Sequence, residues 1–277
     1  MSASGGGRKT KKEMKRFVWM IVSALICGVA CDKDNAGSEL QSAEELYQKL
    51  ETAYQVSSTD GLEKFFKEWN VSVTSNTSIK KDNVTEVINE IYKDFYKPLD
   101  LTSLGDWEWG NSLNSNSKYV AVQNRIDFAI LDEELFDIYF YQGIYESIKF
   151  DSICDFRPPL TLEKGDVLYL TPEYQKALNM FLGTQSRDEN GVLTPSMPKE
   201  DSDKRYAFIR PFIPILHGHW GGYWHIATHP EIMLLFVDTN HGAAKILFRV
   251  GYQGGEATLK KKSNGWYIEE SQATWIE

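Results

Sequence analysis

The hydrophobic residues of this chain follow a helical period early in the sequence and a strand period in much of the remainder. Up to Pro98, apolar side chains recur every three or four positions, which is the spacing of amphipathic helices. Ser42-x-x-Glu45 is a capping box, Asp60 and Asp82 can begin two further helices, and Pro98 ends the third. The apolar positions of these helices are Leu46, Leu50 and Tyr54, then Leu62, Phe65, Phe66 and Trp69, then Val84, Val87, Ile88, Ile91 and Phe95.

The middle of the chain is rich in aromatic and β-branched residues, which predict strands. The three strand segments are Tyr119–Ile130, Phe136–Gln142 and Ile144–Phe150. Thr171-Pro172 then predicts the start of a helix that Gly183 ends. Residues 184–204 are polar and contain two prolines, so they are expected to form a mobile surface loop.

The last third of the chain predicts a strand meander. Its strands are Ile232–Val237, Ala244–Val250, Ala257–Lys261 and Trp266–Glu270. The turns between them are short, and Asn264-Gly265 has the chemistry of a tight hairpin, so the strands must be antiparallel. We therefore expect an α+β fold with N-terminal helices packed on a curved antiparallel sheet, in a single globular domain over residues 39–277. This order of elements, though no residue motif, resembles the NTF2-like cone.

The first 31 residues have the pattern of an export signal. Lys15-Arg16 is followed by an apolar stretch from Phe17 to Ala30 and then by Cys31. The stretch is shorter than the roughly 20 residues that a transmembrane helix needs, and polar residues follow at once. The basic-apolar-small order favours a leader over a buried core helix. We expect residues 1–31 to be the leader and residues 32–38 to be a tether.

Gly28-Val29-Ala30-Cys31 resembles a lipobox, the sequence at which a bacterial lipoprotein is cleaved and acylated on its cysteine. Val29, Ala30 and Cys31 fit that pattern, whereas Gly28 stands where leucine is usual, and Gly28-x-Ala30 would also suit ordinary signal peptidase. The acidic residues after Cys31 resemble the surface-export signal of Bacteroidota-type lipoproteins. The resemblance implies a protein anchored to the outer membrane through lipidated Cys31; secretion without lipid is the alternative.

Composition restricts the partners of the mature region. The chain has 277 residues, of which 42% are hydrophobic and 25% charged, as in an ordinary globular protein. Its formal net charge is −9, and an acidic surface repels phosphate backbones, so nucleic acid is not an expected partner. There are three cysteines: we expect Cys27 to leave with the leader, Cys31 to be acylated if the lipobox is used, and Cys154 to be a buried thiol without an intrachain partner.

All five histidines lie between His217 and His241. Imidazole is a common ligand of zinc and other transition metals, so a metal site is one hypothesis. His225-x3-His229 lacks the Glu that directly follows the first histidine of the zincin motif. Pro230 also disfavours a helix through His229. The alternatives are histidines that are hydrogen-bonded individually, or one histidine in general acid–base catalysis. The hypothetical metal ligands are His217, His219, His225 and His229.

Aromatic residues and glycines interrupt the same histidine cluster. Exposed rings on loops can stack on sugars or other flat ligands, although large aromatics more often pack in a core. The residues expected to bind a ligand are Trp220, Tyr223, Trp224 and His225. We expect a cleft lined by residues 217–229 and roofed by residues 184–204. The predicted function is a non-enzymatic cell-envelope module that binds a glycan or small ligand, with no cofactor. The alternative is a metal-dependent, for example zinc-dependent, or His-dependent hydrolase.

Overall fold

The structure is a computed structural model. It describes the residues 41–74, 83–108, 110–115, 117–131, 148–187, 193–218 and 222–276. Several sequence predictions lie outside these ranges, among them the leader, the tether, the predicted strand Phe136–Gln142, and most of the predicted strand Ile144–Phe150.

The three predicted N-terminal helices are present. They are α1 (Ala43–Gln55), α2 (Thr59–Thr74) and α3 (Asn83–Phe95). The capping box of α1 is complete, because the Ser42 hydroxyl accepts from the Glu45 backbone N–H at 3.2 Å and the Ser42 N–H donates to the Glu45 carboxylate at 3.1 Å. Later in the described part of the chain come the α-helices α4 (Pro172–Leu182) and α5 (Lys199–Ile209).

The strands of the described residues are β1 (Tyr119–Gln123), β2 (Ile126–Ile130), β3 (Asp151–Ile153), β4 (Asp166–Leu170), β5 (Gln185–Arg187), β6 (Leu193–Pro195), β7 (Leu216–His217), β8 (Trp224–His225), β9 (Glu231–Asp238), β10 (Ala243–Val250), β11 (Gln253–Lys262) and β12 (Gly265–Ile276). They form one six-stranded sheet in the order β12-β11-β10-β9-β2-β3 and the three pairs β1-β4, β5-β6 and β7-β8.

The α+β class and the antiparallel C-terminal meander from β9 to β12 are confirmed. Two details differ from the expectation. The predicted strand Tyr119–Ile130 is two strands, β1 and β2, and these belong to different sheets. The large sheet is also not wholly antiparallel, because β2 runs parallel to β9.

Residues 184–204, which were predicted to form a mobile surface loop, contain regular secondary structure. They include the β5–β6 pair and the first half of α5. The helix has no apolar stripe, so hydrophobic periodicity could not reveal it. Acidic residues in its first turn and the i,i+4 ion pairs Lys199–Asp203 and Glu200–Lys204 stabilise it instead.

Two of the three hydrophobic cores formed by the described residues divide the helices between them. The first joins α1, α2, α4 and α5, and within it the rings of Trp69 and Tyr174 stack at 4.3 Å. The second lies between α3 and the large sheet, so among the described N-terminal helices α3 is the one that covers that sheet. The segment between β8 and β9 passes from one core to the other, since Ile226 belongs to the first and Ile232 to the second. Of the helices described here, none is both long and apolar enough to cross a membrane.

Candidate functional site

A cavity of about 580 Å³ lies where the two cores meet. β1 and β10 end beside it, β9 begins beside it, and the first turn of α4 forms part of its rim. Its polar lining includes Gln123, Arg125, Asp127, Gln175, His225, Glu231 and Arg249. Its apolar lining includes Leu170, Trp224, Ile226, Ile232 and Met233.

The segment that leads from β8 to β9 is fixed by hydrogen bonds to β1 and to Asn114. Thr228 and Ala121 exchange two bonds, with the Thr228 N–H donating to the Ala121 carbonyl at 2.7 Å and the Ala121 N–H donating to the Thr228 hydroxyl at 2.9 Å. The amide of Asn114 donates to the His229 carbonyl at 2.7 Å. Gln123 donates to the carbonyl of Ile232 and accepts from its N–H. The wall of the cavity that carries His225 and Glu231 is therefore held in place on several sides.

Arg249 determines the orientation of two buried histidines. Its Nη1 lies 3.2 Å from Nδ1 of His225, and its carbonyl oxygen lies 3.2 Å from Nδ1 of His229. A guanidinium only donates and a carbonyl only accepts. Neutral His225 therefore carries its proton on Nε2, whereas neutral His229 carries it on Nδ1. The two ring centroids are 5.9 Å apart.

Burial dominates the electrostatics of the site. It lowers the pKa of His225 to about 4, and the positive charge of Arg249 lowers it further. It lowers the pKa of His229 to about 3, with His225 and Arg249 acting in the same direction. Burial also raises the pKa of Glu231, against the opposing effect of Arg249. Both imidazoles are consequently neutral at pH 7.

Of the aromatic residues predicted to bind a ligand, the structure describes Trp224 and Tyr223, and these two have different environments. Trp224 is only 8% exposed, its Nε1 donates to the Gly183 carbonyl at 2.6 Å, and its ring stacks on Tyr206 at 5.4 Å. It is a core residue whose edge borders the cavity. Tyr223 is half-buried, and its ring lies edge-on to His225 at 5.1 Å and passes close over Gly218. Trp220 lies outside the described residues.

The histidines of the hypothetical metal site are only partly brought together. His225 and His229 are neighbours, whereas His217 is exposed, contacts the edge of Trp224 at 4.7 Å and donates to the Gly218 carbonyl at 3.0 Å. His219 lies outside the described residues. Within the ranges that the structure covers, no group of three or more His, Cys, Asp or Glu side chains could hold a metal ion. The four-histidine metal site remains a prediction.

The two charged residues at the centre of the cavity wall were missed by sequence reasoning. Glu231 and Arg249 are direct partners in the antiparallel register of β9 and β10. Counting back from the turn at residues 239–242 pairs Arg249 with Ile232, because the register shift between Leu247 and Phe248 is what brings Glu231 opposite Arg249. Neither charged position belongs to a motif, so the sequence carried no signal that would have paired them.

The predicted roof of the cavity, residues 184–204, differs from expectation. None of the described residues from 184 to 204 lines the cavity; the N–H of Gln185 instead donates to the carbonyl of Gly222 at 2.8 Å, so the β5–β6 pair supports the loop before β8.

Cys154 is half-buried in the cavity wall and is disulfide-bonded, so the prediction of a buried thiol without an intrachain partner is wrong. The other two cysteines, Cys27 and Cys31, lie outside the described residues.

Comparison of the chain with protein-family models, curated proteins and solved structures found no match.

Proposed function

We propose that this protein is an exported lipoprotein whose globular domain binds a small molecule in the cavity between its two cores. The observation that carries the proposal is the composition of that cavity. Its volume is in the range of small-molecule sites, and its lining combines apolar side chains with the buried His225 and the half-buried Glu231 and Arg249, whose pKa values are all shifted. Shifted pKa values inside a cleft are typical of functional sites.

Binding accounts for the site better than the alternative of a His-dependent hydrolase. A general base works best when its pKa is near the working pH, and the pKa of His225 is about 4. Its Nδ1 lone pair accepts from Arg249, and Nε2 then carries the proton. His229 is 1% exposed and its Nδ1 donates to a backbone carbonyl. The Nδ1 lone pair of His225 is therefore engaged, and the remaining lone pair of His229, on Nε2, is buried on a residue that does not line the cavity.

The ligand is expected to be compact and polar, not a glycan chain that stacks on an indole. Tyr206 covers a face of Trp224, and Gly183 accepts the indole N–H. The hydrogen-bonding groups of the cavity come instead from the segment that joins β1 to β2 and from the point where β9 begins and β10 ends.

The binding proposal can be tested by narrowing the cavity at its rim. Gln175 and Lys176 are both exposed on α4, but only Gln175 lines the cavity. A fragment screen would follow the methyl NMR signal of Met233, which lies in the wall. Gln175→Trp should weaken the binding of fragments that shift this signal by about tenfold or more, whereas the matched control Lys176→Trp should not. Equal affinities in the two variants, or no fragment that shifts Met233, would count against the proposal.

The membrane anchor rests on the leader and on Cys31. Acylation converts the Cys31 thiol to a thioether and processing removes Cys27, so the lipoprotein proposal requires a mature protein in which Cys154 has lost its disulfide. The full-length protein, expressed in a bacterial host, should incorporate radioactive palmitate, and Cys31→Ala should abolish the label. Mass spectrometry of the unreduced protein should show an acylated N-terminal Cys31 peptide. A peptide pair linked through Cys31 and Cys154 would contradict the lipoprotein proposal while leaving the cavity untouched.

A further inference from the structure

The charged side chains that the structure describes in the cavity lining compensate each other. Arg125 donates to the Asp127 carboxylate at 2.9 Å, and Arg249 lies directly opposite Glu231 in the register of β9 and β10. Burial raises the pKa of Glu231 and lowers that of Arg249, and the charge of each side chain opposes the shift of the other. The lining therefore contains two guanidinium and two carboxyl groups, beside the neutral ring of His225.

A cavity wall whose charges compensate each other disfavours a ligand with a net charge. Moving an ion out of water costs free energy, and only an opposite charge in the site can offset that cost. In this cavity each guanidinium group stands beside a carboxyl group, so neither a cation nor an anion gains a net attraction. An uncharged ligand avoids most of the desolvation cost, and it can still form hydrogen bonds with the charged side chains.

The same lining presents hydrogen-bond donors and acceptors close together, which suits hydroxyl groups. Among the described residues, both donors to Asp127, which are Arg125 and Ser152, bond to its Oδ1, so Oδ2 can accept from a ligand. The carboxyl group of Glu231 is half-buried in the lining, and the exposed Gln175 carries an amide at the rim. A hydroxyl group donates one hydrogen bond and accepts others, so it can interact with each of these groups.

We infer that the ligand is an uncharged polyol of the size of a monosaccharide. The inference rests on the proposed binding function and specifies its ligand class. The hydroxyl groups would exchange hydrogen bonds with the polar side chains, and the C–H groups of a sugar ring would contact Leu170, Ile232 and Met233. The volume of about 580 Å³ is sufficient for such a molecule. This mode of binding does not depend on the face of Trp224 that Tyr206 covers.

Three sets of sugars that differ in charge test the inference. Glucose, galactose and mannose are uncharged, the corresponding uronates carry a carboxylate, and the corresponding hexosamines carry an ammonium group. Calorimetry on the mature protein at pH 7 compares each neutral sugar with its two charged derivatives. At least one neutral hexose should bind, and its uronate and its hexosamine should bind roughly tenfold or more weakly.

Asp127→Asn tests whether compensation of charge sets this preference. The variant retains an Oδ1 acceptor for Arg125 and Ser152 but gives the described lining a net positive charge. The uronate should therefore gain affinity relative to its neutral parent by roughly threefold or more. The matched control is Asp151→Asn, because Asp151 is exposed on β3 and does not line the cavity, and it should leave the ratio unchanged.

The order of the sugars on the wild-type protein tests the inference even if Asp127→Asn does not fold. A uronate or a hexosamine that binds as tightly as its neutral parent would overturn it, as would no detectable binding of any neutral hexose. A folded Asp127→Asn protein with the wild-type preference would also count against it. If fragments still shift Met233 and Gln175→Trp still blocks them, only the ligand class is wrong. If the cavity binds no fragment at all, the proposed function fails as well.

Discussion

Replacing Trp224 with alanine is expected to lower the free energy of unfolding by about 3–5 kcal/mol. The indole is buried, packs in the first core against Tyr206, and donates to the Gly183 carbonyl at 2.6 Å. The substitution removes this packing and leaves a buried carbonyl without its donor, and both effects destabilise the fold. Urea unfolding followed by circular dichroism measures the difference.

Trp224→Phe is the matched control. It retains an aromatic ring between Tyr206 and His217 but loses the N–H that bonds to Gly183. A loss of about 1–2 kcal/mol, smaller than that of the alanine variant, is expected. If Trp224→Ala cost less than about 1 kcal/mol, the ring would not be a core residue, and its role as an exposed ligand platform would become the better interpretation.

Stability should fall as the pH is lowered from 7 to 5.5, by about 2 kcal/mol from the two buried histidines together. In the unfolded chain His225 and His229 take up protons near the ordinary pKa of 6.5, whereas in the folded protein they do so only near about 4 and about 3. The unfolded state therefore binds more protons across this interval. The stabilisation is fully present above pH 6.5 and is lost as the pH falls.

Two variants serve as controls for this dependence of stability on pH. His225→Gln retains a polar side chain that can accept from Arg249 but does not titrate, so it should flatten the slope of stability against pH. Glu231→Gln should steepen it, because burial raises the pKa of Glu231 and the folded state gains protons there as the pH falls. Urea midpoints at pH 7.0 and 5.5 measure both slopes. A wild-type stability that does not change between these pH values would refute the burial of the two rings as neutral imidazoles.

The parts of the fold that the sequence predicted are those with a local cause. The capping box at Ser42, the Thr171-Pro172 helix start and the turn-separated meander strands each depend on residues that are close in the chain. The division of Tyr119–Ile130 into β1 and β2 has a distant cause. Asn124, at the break, donates to the carbonyl of Phe156 and to Asp155, which local periodicity does not report.

The candidate site was predicted in part for the same reason. The histidine cluster indicated the correct segment, and the cavity is lined by His225 and its neighbours. Arg249 and Glu231 were not predicted, since their role follows from the pairing of two strands. Trp224 was assigned to a ligand, but its burial depends on Tyr206 and Gly183, which come from α5 and the end of α4.

The parallel pairing of β2 with β9 has a consequence for the order in which the chain assembles. β10, β11 and β12 follow β9 through short turns, so the meander can form from neighbouring segments alone. β2, in contrast, is synthesised roughly a hundred residues before its partner, and it must keep an unpaired hydrogen-bonding edge until β9 has emerged. Closure of the large sheet is thus a late, non-local step, and a nascent chain that ends before Glu231 would expose that edge to other molecules.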